Sequence, residues 1–147
     1  MNNFPENIRS RLHFEAFDYI STELKVMITS DALKFITVQS FGTLEKDVLY
    51  LEAFVQKMES AGKSDSFNCS DAFTELRQLV GYVKNPDNYE DLLNGAIRQK
   101  KYNRVESADV FSIFEKLKNF DTGYFSKATP AEKQNKKLIE NVLKSLK

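Results

Sequence analysis

Apolar residues recur along this chain at spacings of three and four, the period of an amphipathic helix, and short polar breaks divide them into separate stretches. The first stretch runs from about residue 6 to 29. Ile8, Leu12, Phe17, Ile20, Leu24 and Met27 keep helical spacing, and Phe14 and Ile28 widen the stripe. Pro5 suits the first turn. The second stretch, about 31 to 60, has the strongest pattern. Phe41, Leu44, Val48, Leu51, Val55 and Met58 alternate steps of three and four, a seam suited to near-parallel packing. Leu49, Tyr50 and Phe54 fall beside the seam. A helix apolar on more than one side is normally interior, so both sides are expected to be covered. Ser30 and Asp31 stand as caps. Gly42, which costs about 1 kcal/mol against alanine in a helix, marks a close helix approach or a kink.

The remaining stretches are shorter. Gly62 to Ser70 reads as a polar loop, and the preceding helix ends at its glycine. Asn68 or Ser70 caps a helix over 71–84, with Phe73, Leu76, Val80 and Val83 inward and Asn85-Pro86 as the stop. A short helix over 88–97 follows, then a basic connector from Arg98 to Tyr102. Another helix, over 107–119, buries Val110, Ile113, Phe114 and Leu117. Asp121-Thr122-Gly123 is a turn. The last helix covers 130–146, with Thr129 and Glu132 as a capping box around Pro130. Leu138, Ile139, Val142, Leu143 and Leu146 form its apolar face. Only five glycines and three prolines serve 147 residues. Strands need turns, and turns need these residues, so the scarcity argues for helices with short connections. The expected fold is all-α, a single antiparallel helical bundle over 1–147.

Charge and chemistry narrow the function. The 21 basic and 21 acidic residues cancel, whereas nucleic-acid binders carry a basic excess. No apolar run reaches the roughly 18 residues of a membrane span, and no leader pattern is expected. One cysteine, Cys69, cannot form an internal disulfide, which fits a reducing compartment. Catalysis needs positioned acids, bases, nucleophiles or metals. The single histidine, His13, sits in an amphipathic helix, and the pattern holds no Cys/His cluster for a metal. Cys69 precedes a helix N-terminus, a place that can activate a thiol, but an inert thiol is the simpler reading. The glycines are isolated, so there is no phosphate loop. The run Arg98 to Arg104 is the one cationic cluster, either a solvated connector or a contact for phosphate or anionic lipid. The terminal lysines allow at most a peripheral membrane contact, diluted by Glu132 and Glu140. The expectation is a binding module rather than an enzyme, with no catalytic residue, cofactor or metal.

Four runs then come in a telling order: Glu75-Leu76-Arg77-Gln78-Leu79-Val80, Lys101-Tyr102-Asn103-Arg104-Val105, Phe114-Glu115-Lys116-Leu117-Lys118, and Lys136-Lys137-Leu138-Ile139-Glu140-Asn141-Val142. With Ile36-Thr37-Val38 through Leu44, Asp47 and Val48, they resemble the C-terminal end of the Rab-binding subunit of the exocyst tethering complex, the Sec-fifteen family. The resemblance covers about residues 36–147. The chain has no tryptophan where animal members carry one near Asn88, and Glu45 stands where they have asparagine. Both departures point to a divergent member, such as a fungal one. The resemblance implies the C-terminal part of an elongated rod of stacked helical bundles. It implies a Rab effector that recognises the GTP-bound GTPase and tethers secretory vesicles at sites of polarised exocytosis on the plasma membrane, as a cytoplasmic, peripheral protein. Other implied partners are exocyst subunits, a class V myosin and polarity proteins. An architectural bundle without Rab contact remains open. The polar side of the second helix, with Gln39, Thr43, Glu45 and Lys46, is the expected recognition surface.

Overall fold

The computed structural model describes residues 4–61, 68–120 and 129–146. In chain order the elements are α1 (Glu6–Thr29), α2 (Val38–Ala61), a 3-10 helix (Cys69–Phe73) leading into α3 (Thr74–Lys84), a second 3-10 helix (Pro86–Leu93), α4 (Gly95–Lys101), α5 (Ser107–Phe120) and α6 (Pro130–Ser145). The described residues contain no strand, and the all-α bundle forms as the spacing predicts. The expected loop over 62–67, including the helix-ending Gly62, and the turn at Asp121–Gly123 lie outside the described residues.

α3 is the centre of the bundle. Leu76, Leu79, Val80, Tyr82 and Val83 are all buried on it. α2 lies along α3 and runs antiparallel to it, because Glu52 pairs with Arg77 while Glu45 pairs with Lys84. α1 packs on the first 3-10 helix and reaches α3 and α5; α6 packs on α5 and on the second 3-10 helix. Tyr82 stacks nearly parallel on Phe114 of α5 at 5.8 Å, and Tyr89 of the second 3-10 helix approaches the same ring at 4.7 Å. Tyr102 meets Tyr82 edge-on at 5.1 Å. A buried phenol needs an acceptor. The Tyr82 hydroxyl donates to the Tyr89 carbonyl at 2.7 Å, and the Tyr89 hydroxyl donates to the Val83 carbonyl at 2.7 Å. Burial pushes both phenols above their ordinary pKa, so both stay protonated donors.

Three expectations about local structure are corrected. The second helix begins at Val38, not near Asp31. The chain before it is held by Lys116. Its Nζ donates to the Ile28 carbonyl at 2.9 Å and to the Ser30 carbonyl, satisfying the orphan end of α1. The chain then runs extended through Ser30, and Ile36 is pinned in the core. Thr37 and Ser40, rather than Ser30 and Asp31, cap α2: each backbone N–H donates to the other's hydroxyl, at 3.1 and 3.3 Å. The expected helix over 88–97 is split at Asn94. Its side chain accepts from the backbone of Ala96 and Ile97 and starts α4, so the supposed basic connector is helical up to Lys101. Gly42 serves no close approach, since a Cβ there would meet nothing within 4 Å, and α2 continues through it. The α6 capping box forms as expected and holds the Glu132 carboxyl below its ordinary range through the Thr129 backbone and side-chain bonds.

Apolar faces are covered unevenly. The α5 and α6 core positions are buried or half-buried as expected, and so are Phe41, Val48 and Val55 of α2. On α1 the buried positions are Phe17, Ser21 and Ile28, while Ile8, Leu12, Ile20 and Met27 are exposed. Leu49, Tyr50 and Phe54 of α2 are exposed as well, so the second side of α2 is not interior in this chain.

Two substitutions measure the aromatic centre. Phe114→Ala removes the ring on which both tyrosines pack and should cost about 3–5 kcal/mol. Tyr82→Phe keeps the ring but strips the Tyr89 carbonyl of its donor, and should cost about 1–2 kcal/mol. Urea denaturation followed by circular dichroism gives both values.

Candidate partner-binding face

α2 has a structural side and an open side, and the antiparallel packing on α3 decides which is which. The structural side carries Phe41, Val48, Glu52 and Val55, all buried. Of the four expected recognition residues, Gln39, Thr43 and Lys46 are exposed and lie one turn apart on the open side. Glu45 does not join them. It is half-buried and accepts from Lys84 Nζ of α3 at 2.5 Å, so its carboxylate belongs to the α2–α3 packing. Tyr50 extends the row by one more turn, and at 75% exposure it is the most exposed large apolar side chain among the described residues. Sequence reasoning assigned Tyr50 to the core because it is aromatic beside an apolar seam; its spacing from Lys46 was the signal that it belongs to the open row.

The open row is firmly based. The Thr37–Ser40 cap fixes the first turn beneath Gln39. A groove of about 320 Å³ beside that turn is lined by Ile36, Val38, Gln39, Leu117, Phe120 and Lys136 among others. A second groove of about 360 Å³ opens between the end of α1 and the start of α2, walled by Met27, Leu33, Phe35, Phe41 and Leu44. Both grooves lie at the start of α2, and of the open row only Gln39 lines one of them.

The structural side contains most of the electrostatic tension. Glu52 is buried, with Oε1 3.0 Å from Arg77 Nη1, yet that oxygen accepts no well-aligned hydrogen bond. Burial pushes its carboxyl above the ordinary range, and Arg77 offsets this only in part. Between α1, α3 and α5, Lys25 Nζ lies 2.6 Å from Glu75 and 3.5 Å from Asp109. Burial pulls the Lys25 ammonium down, but the bond to Glu75 and the charges of Asp109, Glu75 and Glu106 outweigh it and leave the pKa raised.

The other chemical candidates are tied up in the fold. Cys69 is buried, and its pKa is raised by burial and then by Glu59, the reverse of an activated thiol. His13 is half-buried on α1. In the basic run, Lys101 pairs with Asp91 at 3.1 Å, Arg98 donates to the Val105 carbonyl, and the Arg104 backbone donates to Gln78. Among the described residues, no group of three or more His, Cys, Asp or Glu could hold a metal ion. No helix among them is long and apolar enough to cross a membrane.

The profile described as "Exocyst complex subunit Sec15 C-terminal" matches residues 1–116. The chain belongs to this exocyst subunit family. Relatives agree with that placement. "Exocyst complex component 6" of Dictyostelium discoideum is 28% identical over 95% of this chain and 14% of its own length. "Exocyst complex component 6" of Caenorhabditis elegans is 26% identical over 99% of this chain and 18% of its own. "Exocyst complex component SEC15B" of Arabidopsis thaliana is 22% identical over 97% of this chain and 19% of its own. The chain therefore spans less than one-fifth of the length of these relatives. No solved structure matches it significantly.

The buried carboxylate gives a pH-dependent prediction. The folded pKa of Glu52 is raised, so its contribution to stability is present below the ordinary value of 4.5 and is lost as pH rises through the folded value. At pH 7 its charge is a net cost. Glu52→Gln should be neutral to about 1 kcal/mol stabilising at pH 7 despite losing the pair with Arg77. The difference from wild type should close near pH 4, as read by thermal melts at the two pH values.

Proposed function

We propose that this domain is a protein-binding module of the exocyst that recognises a Rab GTPase in its GTP-bound form and so helps tether secretory vesicles to the plasma membrane. The observation that carries the reading is the open row of α2, Gln39, Thr43, Lys46 and Tyr50, exposed on a rigidly capped helix in a chain of this family. The switch segments of a GTPase are ordered while the γ-phosphate is present and released after hydrolysis. A stiff helical ridge can discriminate between those states, because it meets a complementary surface only in one of them. No chemistry on the domain's side is needed, and no cofactor or metal enters. Other exocyst subunits are the expected neighbours, with class V myosin and polarity proteins as further partners. The place of action is the cytoplasmic side of secretory vesicles and of exocytic sites, with at most peripheral membrane contact.

A second reading is architectural: a bundle packed on other exocyst subunits or on a myosin cargo-binding tail, without direct Rab contact. Leu49 and Phe54 of α2 and Phe35 before it favour that reading, since all three are large, apolar and exposed.

Affinity capture with a secretory Rab loaded with GTP analogue or GDP separates the two. The effector reading predicts retention with the analogue only. Equal retention in both states, or none, overturns it. Lys46→Glu should weaken the GTP-state complex about tenfold, on the order of 1.4 kcal/mol. Glu45→Ala should leave affinity unchanged and lower stability by up to about 1 kcal/mol, because its partner is Lys84.

A further inference from the structure

α1 is apolar on two opposite sides. One side faces the core through Phe17 and Ile28, with Phe14 and Leu24 half-buried beside them. The other carries Ile8, Leu12, Ala16, Tyr19, Ile20 and Met27, every one of them exposed. From Ile8 through Leu12, Ala16, Tyr19 and Glu23 to Met27 the steps are four, four, three, four and four. That spacing keeps all six positions on one stripe of the helix and suits a partner helix lying nearly parallel to it. The stripe covers most of the 24 residues of α1. An apolar stripe of this length left in water is a cost, and such surfaces mark contacts. Glu23 is the one charge within it, so the covering helix needs a polar or basic residue opposite that position.

The occupant follows from the family and from the position of the stripe. The relatives are more than five times as long as this chain, and the matching profile describes their C-terminal portion. The bulk of such a protein therefore lies on the N-terminal side of this domain. α1 is the first element among the described residues. Elements consecutive in sequence are neighbours in space in most folds. We infer that the outer stripe of α1 is an intramolecular docking seam, covered in the full-length protein by an amphipathic helix from the segment that precedes this domain. The inference does not rest on Rab recognition, which uses α2.

The test places the photo-crosslinking residue p-benzoylphenylalanine at position 19 of the full-length protein, in place of the exposed Tyr19, and irradiates the purified protein alone. Lys137, exposed on α6, gives the control position. The seam predicts a product at the mass of one chain, with the linked peptide coming from the N-terminal side of the domain, and none from position 137. A product at the mass of two chains would assign the seam to a second copy and overturn the inference. Absence of any product from the protein alone, or a product that appears only when another subunit is added, would overturn it equally.

Discussion

The bundle depends on the need of two buried tyrosine hydroxyls for acceptors. Tyr82 and Tyr89 sit in the driest part of the core, and each donates to a backbone carbonyl of the other's segment. That exchange ties the end of α3 to the 3-10 helix after Pro86. The carbonyl of Val83, left without a helical partner in the last turn of α3, is satisfied in the same step. Phe114 brings α5 onto the pair, and Tyr102 anchors the chain between α4 and α5. α6 then packs on α5 and on the 3-10 helix that the tyrosines hold in place.

Once α3 is fixed, the orientation of α2 follows. Two carboxylates on α2 reach cations on α3 in opposite chain order, Glu52 to Arg77 and Glu45 to Lys84. These pairs set which side of α2 faces inward, and the remainder is left to solvent. Gln39, Thr43, Lys46 and Tyr50 are exposed because Phe41, Val48 and Val55 are committed to the core. The exposed row is surface left over by packing. Buried ion pairs with one poorly satisfied oxygen are weak contributors to stability, and their better-attested use is to fix register.

The helical periodicity made the number and rough limits of the long helices legible, and the capping box at Thr129 was readable to the residue. Three features were not. α2 starts only at the Thr37–Ser40 cap, and the chain leading to it is held by Lys116, which reaches back some ninety positions to cap α1; no local pattern reports so distant a donor. The division of the 88–97 segment turns on whether Asn94 caps a new helix or continues an old one, and an asparagine before a glycine allows both. The second side of α2 was expected to be covered, and the two sides of α1 were not told apart, because periodicity reports that a face is apolar, not what covers it. Of the four residues expected on the polar side of α2, Gln39, Thr43 and Lys46 are exposed, as their spacing from the buried seam implies. Glu45 was misplaced because a glutamate looks alike whether it meets water or a lysine of the next helix.

A partner seated on the open row of α2 is the central proposal for this domain. Oxidative footprinting of the domain with and without a GTP-loaded Rab, followed by peptide mass spectrometry, tests this without altering the protein. A partner on this row lowers modification of Tyr50 in the complex, while Tyr19 on α1 and the exposed side chains of α6 keep their reactivity. Undiminished modification of Tyr50 in a saturated complex, with protection on α1 or α6 instead, would contradict it.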